Sequence, residues 1–502
     1  MKAFITKIFI TSLVLLYFYS NSSYSQVGAE FPIEVRPDSC FALGFSEDNT
    51  KYMIVMRREK SSGADIVVQF HSKADHSLIG SPIVLGSTNI PAEGFDLGIP
   101  QVSFDGTRFL VVWTDGQNGG IKYRFIHSQT FELSQLYNDP TLPVFLGGIK
   151  TLHYNQATNR YLLISSIKSQ DGYYHIYNFI GIDGSISSSN PLTNILSRKE
   201  LSVSYAAGKF LICFVPVSSF ASDYEVMGQL LSENGTLIGS PFTIDGSTYP
   251  SDDPLFVFFD GNYHNCFFPE EEPAGWKIYA RRIDQSGNVE QNRILVSNDG
   301  HILPFAILGF GKILVTWSRF PFMNAPGIIK GRFFDLNLNP LGPSDFVIFM
   351  PKDDKFPVGS MGSYDPSNNL YYVYTTRATL SVTPDSAFIF MNGDIYGVPV
   401  MAPTEVEDER LASNDFELYQ NFPNPFNSST QIKFSVKENQ FVTIKLLDVL
   451  GEEIAILLNQ EKSKGAHTIN FDATQYNLSS GVYFYKMTAG NFVSVRKMVY
   501  LK

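Results

Sequence analysis

Phe109-Leu-Val-Val-Trp113 decides how the chain is read. A turn, Phe104-Asp105-Gly106, and a basic residue, Arg108, precede five consecutive apolar residues, so the run has the length of a strand and no wet face. A short apolar strand after a turn and a Lys, Arg or Asn recurs as Tyr52-Met-Ile-Val-Met56, Tyr161-Leu-Leu-Ile-Ser165, Phe210-Leu-Ile-Cys-Phe214, Tyr263-His-Asn-Cys-Phe267, Ile313-Leu-Val-Thr-Trp317 and Tyr371-Tyr-Val-Tyr374. Successive copies begin 57, 52, 49, 53, 50 and 58 residues apart, a mean of about 53. A second marker keeps the same beat: Leu78-Ile-Gly-Ser-Pro-Ile83 and Leu237-Ile-Gly-Ser-Pro-Phe242 lie 159 residues apart, three steps of 53.

Around each apolar run the period holds further strand-like stretches, such as Ile121 to Ile126 and Pro241 to Ile244, separated by turns such as Glu233-Asn234-Gly235. A unit of about four short antiparallel strands, with one strand apolar on both faces, is the pattern of a β-propeller blade covered by neighbours on each side. The expectation for residues 26–402 is a seven-bladed β-propeller, with six or eight blades left open. Phe31-Pro-Ile-Glu-Val35 resembles Ser81-Pro-Ile-Val-Leu85 one period later, so strands from both chain ends can complete one blade and remove an exposed edge. Val398-Pro-Val400 competes for the same place.

The composition agrees with an all-β chain. Its 502 residues are 44% hydrophobic, 14% aromatic and 17% charged, with 38 Gly and 27 Pro. A net charge of −11 lacks the basic footprint that nucleic acid or anionic lipid requires. Cys40, Cys213 and Cys266 form no CxxC pair, which reads as buried free thiols with one bridge still possible outside the cytoplasm.

Lys2 and Lys7, the apolar run Ile8 to Tyr19 and small residues before Gln26 have the anatomy of a secretory signal peptide over residues 1–25. Twelve apolar residues are too few for a spanning helix, which needs about 20. Residues 403–415 carry Glu405, Glu407, Asp408, Glu409 and Asp415 against Arg410 and read as an acidic linker. From Phe416 to Lys502 the strand spacing changes and suggests a small Ig-like β-sandwich. This segment holds nine Lys and Arg against seven Asp and Glu, or +2, while residues 26–415 hold 27 against 42, or −15.

Five ordered motifs lie in this last segment. They are Leu418-Tyr-Gln-Asn-Phe-Pro-Asn-Pro-Phe-Asn-Ser-Ser-Thr430, Val442-Thr-Ile-Lys-Leu-Leu-Asp-Val-Leu-Gly-Glu-Glu453, Gly465-Ala-His-Thr-Ile-Asn-Phe-Asp472, Leu478-Ser-Ser-Gly-Val-Tyr-Phe-Tyr-Lys486 and Arg496-Lys-Met-Val-Tyr-Leu-Lys502. Together they resemble the type A C-terminal sorting domain of type IX secretion system cargo of Bacteroidetes. The resemblance implies Sec export, passage through the type IX translocon and residence at the outer-membrane surface or outside the cell. It also implies a sortase-like peptidase as partner. Gly465, Gly481, Tyr483, Lys497 and Lys502 sit in the matching motifs as sorting-signal candidates, although Gly451, Gly465 and Gly481 also read as turn glycines.

No HExxH, GxSxG, P-loop or dinucleotide fingerprint occurs, so no catalytic residue, cofactor or metal is assigned. Asp-Gly pairs at 105, 115, 183, 245 and 260 read as a repeating turn device. Glu270-Glu271-Glu272 beside Trp276 has the composition of a glycosidase carboxylate pair and also that of a solvated loop tip. Loops after Trp113, Phe214, Phe268 and Trp317 hold equivalent places in successive repeats and would gather on one face, which makes Trp113, Trp276 and Trp317 candidate ligand-binding residues. Two functions follow: capture of an extracellular glycan or protein without catalysis, or a secreted carbohydrate-active hydrolase or lyase with its site at the propeller mouth.

Overall fold

Every one of the seven apolar signatures falls on the second strand of a four-stranded antiparallel unit. The computed structural model describes residues 26–403 and 416–500 with interruptions, the longest being 35–39, 91–99, 116–119, 218–223, 248–254, 320–326, 383–387 and 422–425. The expected signal peptide, linker residues 404–415 and Lys502 lie outside the described residues.

In the first unit Cys40–Glu47, Lys51–Glu59, Ala64–Ser72 and Leu78–Thr88 pair in chain order. The described strands form seven such units, the third and fourth joined by one pair, Tyr173 with Ser197. The last unit has Phe356–Asp365, Leu370–Val382 and Phe388–Met401 from the end of the body, and its outer place is filled from the other end of the chain. Gln26–Val27 and Phe31–Glu34 pair with Phe388–Met401, Gln26 opposite Met401 and Phe31 opposite Gly397. Of the two closures open in the sequence, the N-terminal strand supplies the outer position, and Val398 to Val400 belongs to the strand it pairs with.

Apolarity on both faces of the second strands has a direct cause. In Arg160–Lys168, Tyr161 and Leu163 enter a seam shared with the second unit, whereas Leu162 and Ile164 enter a seam shared with the fourth. Seven apolar clusters occupy the seven seams, and one of them closes the circle: Tyr52, Ile54, Met56 and Val67 of the first unit meet Tyr372, Tyr374 and Ile395 of the last. The architecture is a β-propeller, each unit a blade.

Turn chemistry sets the hairpins between first and second strands. Asp105 Oδ1 accepts the backbone N–H groups of Thr107 at 2.8 Å and Arg108 at 2.6 Å, and Gly106 takes φ +95°, which a side chain would strain. Asp48 and Asp260 do the same for Thr50 with Lys51 and for Asn262 with Tyr263. Asp245-Gly246 departs from this reading. It lies inside the strand Leu237–Ser247, where Asp245 is buried and accepts from Arg281 at 2.7 Å.

The basic residue ahead of three of the apolar runs also has a structural role that its position in the repeat did not reveal. Arg108 donates to the Ile182 carbonyl of the next blade at 3.0 Å, Arg160 to that of Glu233 at 3.2 Å, and Lys209 to that of Gln285 at 3.4 Å. Each tie joins the start of a second strand to the last hairpin turn of the following blade.

The C-terminal region has two sheets around one core. Glu417–Leu418, Ser429–Val436 and Gly465–Asp472 form one, and Glu453–Lys462, Gln440–Leu447, Gly481–Ala489 and Phe492–Tyr500 the other. Ile432, Phe434, Val442, Ile444, Tyr485, Met487 and Met498 fill the space between them. Among the described residues no helix is long and apolar enough to cross a membrane.

Ile54 is fully buried in the closing seam. Ile54→Ala is expected to lower unfolding stability by about 3 kcal/mol, read as the midpoint of urea unfolding, whereas Ser77→Ala at an exposed turn shifts it little.

Candidate functional site

Because the strands of each blade alternate in direction, the hairpin turns collect on one face, and the loops between second and third strands collect on the other with the crossings between blades. The four loops equated by the repeat register do occupy equivalent places, bounded by Thr114 and Ile121, Phe214 and Met227, Glu272 and Gly275, and Arg319 and Ile328. Much of this loop face lies outside the described residues.

Below the loop face, a cavity of about 460 Å³ is walled by the innermost strands of the third, fourth and fifth blades. Leu201, Val203, Tyr205, Phe256 and Phe258 give it a mainly apolar lining, joined by His153 and Lys150. Ser202 Oγ accepts the Val257 N–H at 2.9 Å and so ties two of these strands together across a seam. Lys150 Nζ lies 2.9 Å from Glu200 Oε1, on the part of its strand nearer the loop face. His153 sits between Tyr205 and Phe210, with ring centroids 5.9 and 5.6 Å away, and burial pulls its pKa down to about 4. Behind it His264 pairs through Nδ1 with Ser204 Oγ at 2.9 Å, and burial likewise lowers it to about 4. Both imidazoles are neutral near pH 7.

The three candidate tryptophans do not share this wall. Trp113 is 0% exposed in the seam between the first and second blades, its indole N–H directed at the Ser87 carbonyl at 3.4 Å. Trp317 is 0% exposed in the seam between the fifth and sixth, donating to the Asp299 carbonyl at 3.0 Å. Neither indole presents a face to an outside molecule. Trp276 is half-buried at the start of the strand Gly275–Ile283, opposite Glu271, beside the loop face.

Glu270, Glu271 and Glu272 end a strand rather than a solvated loop tip. Glu270 is fully buried against Arg293, whose guanidinium also stacks 3.6 Å over Tyr279. Glu272 bonds Lys277 at 2.6 Å and accepts from the Tyr279 hydroxyl. Glu270 and Glu272 are committed to ion pairs, and sequence reading missed the partners because they stand on the next strand, Gly275–Ile283, or beyond it at Arg293. Other pairs rim the loop face, including Lys122–Asp115, Lys330–Asp299 and Arg377–Glu30. Among the described residues no group of three or more His, Cys, Asp and Glu is placed to hold a metal ion.

In the C-terminal region the Asn-Phe-Pro-Asn-Pro-Phe motif is anchored at both ends. The Asn421 N–H donates to the Tyr485 hydroxyl at 2.6 Å, and that hydroxyl donates to the Tyr419 carbonyl at 2.7 Å. Phe426 is buried against Phe471 and Tyr500, and its N–H donates to the Val499 carbonyl at 2.9 Å. Gly465 takes φ +132°, so its turn needs glycine, whereas Gly481 has no such φ and opens a strand opposite Tyr500. The Tyr483 hydroxyl donates to the Ser479 carbonyl at 2.8 Å. Lys497 is exposed on the last strand, opposite Phe484. The outer side of this four-stranded sheet leaves Ile456, Val493 and Val495 about half exposed and carries Lys445 and Lys486 beside them.

Residues 420–501 match the family described as "Secretion system C-terminal sorting domain". The tail is thus a type IX sorting domain, and it directs the chain to the cell surface or the medium. No curated protein matches this chain. Among solved structures the body is similar to the propeller domain of the Trilobed protease from Pyrococcus furiosus, at 10% identity and a TM-score of 0.41, covering 73% of this chain and 96% of that one. A PL25 ulvan lyase is similar at 8% identity and a TM-score of 0.46, covering 74% of this chain and 94% of that one. The acylaminoacyl peptidase of Pyrococcus horikoshii is similar at 11% identity and a TM-score of 0.41 over 80% of this chain, which spans 59% of the peptidase.

Two predictions follow from this geometry. With His153 at about 4 against an ordinary 6.5, the unfolded chain binds a proton that the fold does not. Its contribution is complete above pH 6.5 and is lost as pH falls toward 4, so His153→Gln should narrow the gap between urea midpoints at pH 7 and pH 5. Tyr485→Phe should cost about 2 kcal/mol, because the Asn421 N–H and the Tyr419 carbonyl lose their shared partner in a buried site.

Proposed function

We propose that this is a type IX cargo protein whose propeller captures an extracellular glycan or protein at the loop face and the cavity beneath it, without turning it over. The cavity carries the reading: an aromatic and apolar wall with a small number of polar groups is the composition of a binding pocket. The Lys150–Glu200 pair supplies a donor and an acceptor at the end that faces the loops. Trp276, beside the same face, is the candidate indole retained for ligand contact.

On the tail, the secretion machinery reads the outer side of the four-stranded sheet, where Lys497 stands among exposed valines and Lys486. Gly465, Gly481 and Tyr483 act by shaping the strands and turn that hold this surface. After export a sortase-like peptidase removes the tail from the propeller.

Glycan and protein arrays probed with the mature chain test the first part, with product analysis on each hit. Thr151→Trp, which fills the cavity wall, should weaken a captured glycan roughly tenfold, a loss of about 1.4 kcal/mol. Turnover of that glycan would replace capture by hydrolase or lyase chemistry. For the tail, Lys486→Glu with Lys497→Glu should retain folded protein inside the outer membrane, measured by fractionation. Unchanged export would remove the lysine face from the signal.

A further inference from the structure

The last hairpin turn of each of the first six blades carries a residue of positive φ, and the side chain placed there changes along the repeat. It is Gly184, Gly235 and Gly287 in the third, fourth and fifth blades, Phe131 in the second, Leu338 in the sixth and His76 in the first. Phe131 and Leu338 pack into the apolar seams toward the preceding blade. His76 enters the seam that closes the ring, so a titratable ring stands where the repeat otherwise puts an apolar side chain or none.

The His76 imidazole stacks on Phe31 of the N-terminal strand with a centroid distance of 4.6 Å and lies 4.1 Å from Tyr372 of the seventh blade. Tyr52 Oη and His76 Nδ1 share a hydrogen bond of 3.1 Å, and His71 Nδ1 donates to the His76 carbonyl at 3.1 Å. Three pieces of chain therefore meet on one ring: the strand that seals the propeller, the first blade and the last. Where Arg108, Arg160 and Lys209 each reach the turn of the following blade, the seventh blade has the apolar Leu370.

We propose that His76 is a pH-sensitive pin of the ring closure: the neutral imidazole holds the N-terminal strand against the first and seventh blades, and its protonation releases that strand. The surroundings of the two nitrogens explain why. A neutral ring makes its bond to Tyr52 through Nδ1. A charged ring carries N–H on both nitrogens, and Nε2 is buried with no hydrogen-bond partner among the described residues. The ring is faced by His71 and Tyr52 from the first blade, by Tyr372 and Asp365 from the seventh and by Asp75 from its own turn, while the N-terminal strand brings Phe31. Burial, and after it His71, pulls the His76 pKa below its ordinary 6.5 against the opposing pull of Asp365 and Asp75. The closed ring thus binds fewer protons than the open chain. The contribution of His76 is whole above pH 6.5 and is lost as the pH falls below it. The sorting tail carries the chain to the cell surface or the medium, so the pin meets an external pH.

Hydrogen exchange of the full chain at pH 7 and pH 5, read by mass spectrometry and corrected for intrinsic rates, tests the pin. Peptides covering Phe31–Glu34 and Phe388–Met401 should lose protection about tenfold at pH 5, while Lys312–Arg319 in the sixth blade keeps its own. His76→Phe copies the side chain of Phe131 and should hold the strand equally at both pH values. His76→Asn accepts the same positive φ without forming a cation, and its protection, lower throughout, should also be independent of pH. A loss at pH 5 that persists in either variant would assign the switch to another group and overturn the proposal. Equal protection of the native chain at both pH values would overturn it as well, and so would a matching loss in Lys312–Arg319, which would make the acid effect global.

Discussion

Burial of every second strand on both faces is the constraint from which the propeller follows. A sheet with one wet face alternates polar and apolar residues, but Tyr161, Leu162, Leu163 and Ile164 are all 0% exposed, and they alternate between two neighbours rather than between core and water. One blade alone would expose both of its apolar faces. Only a closed set of blades covers all of them, so the stability of each seam depends on the presence of the next.

Much of this was legible in the sequence because the signal is both dense and periodic. An uninterrupted apolar run such as Phe109 to Trp113 needs no partner to be recognised, and its recurrence supplied the blade. The closure was half legible. Phe31 to Val35 has the look of an outer strand, but pairing is decided by register with Phe388–Met401, which composition does not encode. In the C-terminal region the strand Glu453–Lys462 escaped notice, since as an edge strand it mixes exposed Ile454 and Ile456 with polar residues and shows no clean alternation.

The site was less legible for a related reason. Trp113 and Trp317 end apolar runs that lead toward the loop face, and from sequence they are equally a ligand platform or the last layer of a seam. Their depth decides it, and depth depends on how far each neighbouring blade extends. Glu270 shows the same gap: its partner Arg293 lies 23 positions away, brought close by the fold of the blade. Hydrogen bonds from Arg108, Arg160 and Lys209 to the next blade's turn were equally invisible, although the basic residues themselves were part of the repeat.

The strand that seals the ring is the first one described, and it binds the last strand of the body to be synthesised. Closure of the ring therefore cannot precede synthesis of Phe388–Met401. The earliest segment has to wait, unpaired, until Phe388–Met401 is available, and contacts of such long sequence separation form slowly. A protein made this way has a built-in delay between the synthesis of its first blade strands and the closure of its ring.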